Sequence, residues 1–278
     1  MDEVKHDLPS LKRSVSRILD RLEVSAASRG RALDSTVTAA MSHCANDPQV
    51  EEFETWEAWV TAMQVGSALF DSATASQDVV ACRIGVDGQI KNLPATGPTP
   101  YTHAGAWLTT VYLATICRDN ARLDRLMRVP TSFLRESGAV FDDYVYDWVE
   151  TLQRYWSGES TEMWNHLVEA IQETAPEVAR FADQELLLKV LYPPLELFQL
   201  YNRQANEEFN ESLSLSLEWH REYWTGDQAR PIDRKGLVTL GPLAISCMAY
   251  DNDFSIDVES DYLPEGLLKF SWAGEVET

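Results

Sequence analysis

From Glu185 to Gly226 the apolar residues recur every three or four positions, and the run is interrupted once, at Tyr192-Pro193-Pro194. That period belongs to helices burying one stripe of their surface. Proline has no amide hydrogen to donate within a helix, so the pair is expected to break one helix and open the next, from Leu195 to about Asn202. A third, longer helix ends in Tyr223-Trp224-Thr225-Gly226, with the glycine placed for a left-handed C-terminal cap. A matching ending, Tyr155-Trp156-Ser157-Gly158, lies 68 residues upstream, and Phe141/Phe209 and Val145/Leu213 share that offset. The offset is twice the period of about 34 residues found in tetratricopeptide helix pairs. Stacked, repeat-like helical hairpins are therefore the expected build, with a compact bundle as the alternative.

The rest of the chain reads the same way. Leu8, Leu11, Val15, Ile18, Leu19 and Leu22 line a first amphipathic helix, and a second runs from about Ser28 to Cys44. Asn46-Asp47-Pro48 breaks the chain before a third, from about Val50 to Ala73, carrying Trp56, Trp59, Val60, Met63 and Phe70. Val79 to Ile84 and Gln89 to Lys91, around Val86-Asp87-Gly88, give the one clear β-hairpin signal. Pro94 to Pro100 is a loop and a candidate subdomain boundary within a single domain spanning residues 1–278.

Beyond it, Thr102 is expected to cap a helix through Cys117, and Asp119 to cap the next. Pro130 opens a short helix, and longer ones cover Phe141–Trp156, Trp164–Thr174 and about Leu237–Tyr250. Phe254 to Glu259 alternates like a short strand before a terminal helical turn. The fold class is thus all-α, with one small hairpin around 79–91 and a short C-terminal strand.

The side-chain inventory restricts the chemistry. No stretch approaches the ~20 unbroken apolar residues of a membrane helix, and Met1 to His6 is charged rather than apolar, so a cytoplasmic protein without membrane partners is expected. Cys44, Cys82, Cys117 and Cys247 are scattered in apolar contexts and read as buried, reduced thiols. The net charge of -21, from 44 acidic and 23 basic side chains, repels nucleic acid and suits a basic partner.

The five histidines are never three or four residues apart, and neither a nucleophile elbow nor a phosphate-binding glycine pattern is present. No catalytic residue, cofactor or metal is expected. The dense tryptophans read as helix-packing groups before they read as a cavity lining.

One pattern competes with that reading. Asp142-Asp143-x-x-x-Asp147 resembles the aspartate-rich metal motif of class I terpene cyclases, and Asn210-x-x-x-Ser214-x-x-x-Glu218 resembles their second motif. Residues four apart share a helix face and could hold Mg²⁺ with a diphosphate. A prenyl-diphosphate enzyme is therefore the alternative, and a generic helical scaffold is a third.

Other residues point elsewhere. Val111-Tyr112-Leu113-Ala114, Cys117-Arg118-Asp119, Asp142-Asp143-Tyr144, Leu191-Tyr192-Pro193-Pro194, Phe209-Asn210-Glu211 and His220-Arg221-Glu222-Tyr223-Trp224 together resemble the bacterial family immunity protein 49. Gly241-Pro242-Leu243-Ala244 and Val258 to Pro264 extend the likeness, which covers about residues 100 to 268. The resemblance implies an immunity protein of a polymorphic toxin system, held in the producer's cytoplasm, that neutralises a cognate toxin domain by contact. It brings no catalytic residues. A basic toxin, a nuclease being one candidate, would meet acidic contact groups, for which Asp142, Asp143, Asp147, Asp257, Glu259 and Asp261 are the candidates.

Overall fold

The computed structural model describes residues 8–85, 88–226, 230 and 233–272. Met1 to His6 and the Val86-Asp87 part of the expected hairpin turn lie outside them, as does most of residues 227–232 in the polar linker. The helices are α1 (Leu8–Leu19), α2 (Ala26–Asn46), α3 (Phe53–Thr74), α4 (Ala104–Ile116), α5 (Asn120–Leu126), α6 (Thr131–Arg135) and α7 (Tyr144–Ser157). They continue as α8 (Ser160–Glu173), α9 (Gln184–Leu186), α10 (Pro193–Asn202), α11 (Asn206–Thr225), α12 (Leu240–Tyr250) and α13 (Glu265–Leu268). The strands β1 (Val79–Arg83) and β2 (Ile90–Pro94) pair antiparallel, with Val79 opposite Pro94 and Arg83 opposite Ile90. The fold is all-α with one hairpin, as the periodicity requires.

The most extensive helix contacts are between sequence neighbours, α7 on α8, α2 on α3 and α1 on α2, while α12 lies against both α4 and α10. The centre is built from helices buried along most of their length: α3 from Trp59 to Ala73 apart from Asp71, and α12 from Gly241 to Cys247. Of the tryptophans dense across the helical half, Trp107 and Trp148 are almost wholly buried, as are Trp56 and Trp59 of α3, whereas Trp156, Trp164, Trp219 and Trp224 are only partly covered. Gly66 lets α3 and α4 meet at backbone distance, since a Cβ there would stand 2.6 Å from Thr110 Oγ1. Beneath the hairpin, Leu22, Val65, Leu69, Cys82, Ile84 and Leu93 form a smaller apolar cluster, so the two strands rest on α3. Cys44, Cys82, Cys117 and Cys247 are all free and buried.

Several local expectations are corrected. The strand at Phe254–Glu259 does not form. The segment is extended and its residues alternate between inward and outward, but it lies beside a helix, and its backbone is held by side chains instead of a neighbouring strand. The helix after the proline-rich loop is capped by His103, whose Nδ1 accepts from the Ala106 amide at 3.1 Å, while Thr102 turns back to Thr99. That loop is tied to the end of α3, where Ser72 Oγ donates to the Pro94 carbonyl and the Thr96 amide to the Ser72 carbonyl. Asp119 caps α5 as expected.

At Tyr192-Pro193-Pro194 the chain stays helical. Leu187–Leu191 widens to a π turn in which the Tyr192 amide reaches the Leu187 carbonyl at 2.8 Å, and the two prolines occupy the first turn of α10. A widened turn absorbs the missing proline donors without a break. The matched endings also diverge: Gly158 takes the left-handed cap, with φ of 76°, whereas Gly226 stays right-handed at -75°.

Candidate functional site

The six acidic candidates fall into two groups, one whose carboxylates are each engaged by a partner and one left open to solvent. Asp142 precedes α7 and points inward, 8% exposed. Its carboxylate receives three successive backbone amides, from Arg180 at 2.6 Å, Phe181 at 3.1 Å and Ala182 at 2.9 Å. Consecutive amides facing one anion form a cradle of partial positive charge. Burial alone would raise the Asp142 carboxyl, but the three amides outweigh it and hold the group below the usual carboxylate range. This carboxylate fastens the 180–182 segment to α7.

Its neighbours are engaged separately. Asp143 is exposed and pairs with Arg135 at 3.0 Å, whose guanidinium lies 3.6 Å over the Tyr146 ring. Asp147, half-buried, meets His166 Nδ1 of α8 at 2.8 Å. The second half of the metal-motif pattern is also occupied. Asn210 uses its amide on the Ser255 carbonyl at 2.8 Å and on the Asp257 amide, again at 2.8 Å. Ser214 and Glu218 are exposed. With α7 packed on α8 and α11 on α10, and with Asp142 and Asn210 committed to backbone, the two motifs do not form a joint diphosphate cradle.

The second group lies on the extended segment. Asn206 clamps Ser255 from both sides, donating to its carbonyl at 2.9 Å and accepting from its amide at 2.9 Å, and Asn210 holds Asp257 one helical turn further on. The Thr239 amide donates to the Tyr262 carbonyl at the far end. Phe254 is buried, and Ile256, Val258 and Tyr262 pack on the core. Asp257, Glu259 and Asp261 are therefore turned outward and exposed, and among the described residues none forms a salt bridge with lysine or arginine. Asp257 Oδ1 accepts only from Ser255 Oγ, at 2.7 Å. The result is a ribbon of three unpaired carboxylates on a backbone fixed in place.

Behind the ribbon, His220 of α11 is 3% exposed and donates through Nε2 to the Gly236 carbonyl at 3.0 Å. Burial pushes its imidazole down to about 4, so it is neutral. Nothing local to His166 or His220 in the sequence tells them apart; one joins two helices beside carboxylates and the other is a buried packing group. A cleft of about 280 Å³ lies between α1, α2, α3 and the hairpin, lined by charges of both signs including Lys12, Lys91, Glu54 and Glu57, and none of the six candidates borders it.

Together these features define a mainly helical protein whose buried acids tie the fold and whose free acids sit on an outer ribbon. The chain belongs to the immunity protein 49 family: the sequence model of that family matches residues 47–267, beginning well before the part that resembles it by eye. No curated protein and no solved structure matches the chain. Among the described residues no helix is long and apolar enough to cross a membrane.

Proposed function

We propose that this chain neutralises a cognate toxin domain by direct protein–protein contact, with the ribbon at Asp257, Glu259 and Asp261 as part of the contact surface. Membership of the immunity protein 49 family over residues 47–267 carries the reading. Of the six acidic candidates, the three ribbon acids are the ones we assign to this contact. Asp142 is spent on backbone amides, Asp143 on Arg135 and Asp147 on His166, whereas among the described residues the ribbon acids form no salt bridge, Lys269 pairing with Glu265 and acting on Glu259 only through its field. A net charge of -21 steers a basic toxin surface towards the chain, and rigidly held, unpaired carboxylates lose little freedom on pairing with it. A nuclease, whose substrate groove is basic, is the toxin class best matched to such a surface. The chain would act by binding, without catalysis, in the cytoplasm of the toxin producer.

The test is co-expression with the adjacent candidate toxin gene, scoring survival and co-purification. Protection with a stable complex supports the reading. Cell death despite soluble expression of both chains sinks it. A triple reversal, Asp257→Lys, Glu259→Lys and Asp261→Lys, separates the ribbon from the general claim: intact protection with an unchanged on-rate moves the contact surface elsewhere.

A further inference from the structure

α7 and α8 are the most extensively packed pair of helices, and one polar cluster lies between them. His166, Glu169 and Glu173 are spaced by three and four residues, so they share one face of α8. Across from them stands Asp147 of α7. One ligand atom each from Asp147, His166 and Glu169 lies within 4.8 Å of the others: His166 Nδ1 is 2.8 Å from Asp147 Oδ1 and 3.8 Å from Glu169 Oε2. Glu173 adds a fourth group. Its Oε2 is shielded from solvent and meets no donor among the described residues, and its carboxyl stands within hydrogen-bond reach of Asp147.

Glu173 also faces charge of its own sign. Asp147, Asp143 and Glu169 all stand near it, and Asp147 is also within hydrogen-bond reach. Carboxylates crowded together repel one another and cost folding free energy. Such an arrangement becomes favourable when a cation enters it.

We propose that Asp147, His166, Glu169 and Glu173 form a binding site for one divalent transition-metal cation between α7 and α8. An imidazole nitrogen with carboxylate oxygens is a donor set of the borderline class that suits Zn²⁺ and its neighbours. Tetrahedral ligands about 2.0–2.1 Å from zinc stand roughly 3.3 Å apart. The His166–Asp147 contact must open by about half an ångström and the His166–Glu169 contact close by as much, which side-chain rotation supplies. In the metal-free form an Nδ1–H of His166 donates to Asp147; on binding, the ring takes its Nε2–H tautomer, the proton passing from Nδ1 to Nε2 through solvent, and the cation takes the freed Nδ1 lone pair. The inference does not depend on toxin binding, because the cluster is separate from the ribbon.

The experiment uses the full chain after EDTA treatment, titrated with ZnCl₂ by calorimetry, and with CoCl₂ by ligand-field absorption to register the histidine ligand. Melting curves with and without Zn²⁺ accompany each titration. One saturable equivalent is expected, with a rise in Tm on adding Zn²⁺. His166→Ala and Glu173→Gln should each weaken Zn²⁺ by about tenfold or more, while Glu208→Gln, an exposed acid on α11, should not.

Glu173→Gln carries a further signature. It should melt higher than the wild type without metal and gain less from Zn²⁺, a reversal that a purely structural role would not produce. Unsaturable uptake overturns the proposal, as does equal affinity in His166→Ala and Glu173→Gln. Either leaves the Asp147–His166 contact as a hydrogen bond between helices only.

Discussion

At the start of α7 the carboxylate of Asp142 is shut inside the protein against three backbone amides, whereas along residues 257–261 three carboxylates stand in solvent above a backbone held by Asn206 and Asn210. In the first case the side chain holds the main chain. In the second the main chain is held, and the side chains are left over. Acidic residues close together in sequence therefore say little about role until it is known which side of the backbone carries the bonds. Removing a buried partner strands other groups, while removing an exposed one returns a carboxylate's place to water.

The contrast is tested most strongly at Asp142. Asp142→Ala leaves three amides of the 180–182 segment without their charged acceptor and should cost about 4 kcal/mol, read as a fall in Tm of roughly 8 °C. Asp142→Asn keeps one acceptor oxygen and should cost about half of that. A loss no larger than that of a ribbon substitution would erase the distinction. The same carboxyl gives a pH signature. Its folded value lies below its unfolded one, so its stabilisation is complete at neutral pH and is lost as the pH falls through the folded value. Acid unfolding of Asp142→Asn should be correspondingly shallower.

His220 sharpens the comparison with a base. Its folded value, about 4, lies below the 6.5 of an unperturbed imidazole, so the unfolded chain takes up the proton first. Stability is therefore full above pH 6.5 and declines as the pH falls towards 4, by roughly 3 kcal/mol in total. Denaturant titrations between pH 7.5 and 4 should show that slope, and His220→Gln should flatten it.

Asn206→Ala with Asn210→Ala removes the clamps from the ribbon. Partly exposed amide bonds contribute modestly, so a loss of about 2 kcal/mol is expected, with hydrogen exchange accelerated at residues 255–257. The smallest stability effect is expected from the triple reversal at 257, 259 and 261, within about 0.5 kcal/mol. Its consequence should lie in association, with the on-rate for a basic toxin domain falling about tenfold at low salt and the difference shrinking as salt rises.

What could be read in advance follows from the range of each interaction. The helices, the hairpin and the Asp119 cap depend on neighbours a few residues away, and their signals are local. The Asp142 cradle closes over 38 to 40 residues and the asparagine clamps over 45 to 49, so neither leaves a local pattern. Phe254–Glu259 reads as a strand for a related reason. Any extended chain with one face buried alternates with period two, whatever satisfies its backbone. His103 displaced Thr102 as a cap because Thr102 found a better partner in Thr99. The family was recognisable from motifs scattered over residues 100 to 268, while the division of its acids into internal and external needed the fold.

The ribbon is fastened through its peptide groups, by two amides that do not sense which side chains it displays. Exchanges at 257, 259 and 261 can therefore change what the ribbon displays and leave the support beneath untouched. If the ribbon meets a toxin as proposed, such a surface can be rewritten faster than its frame.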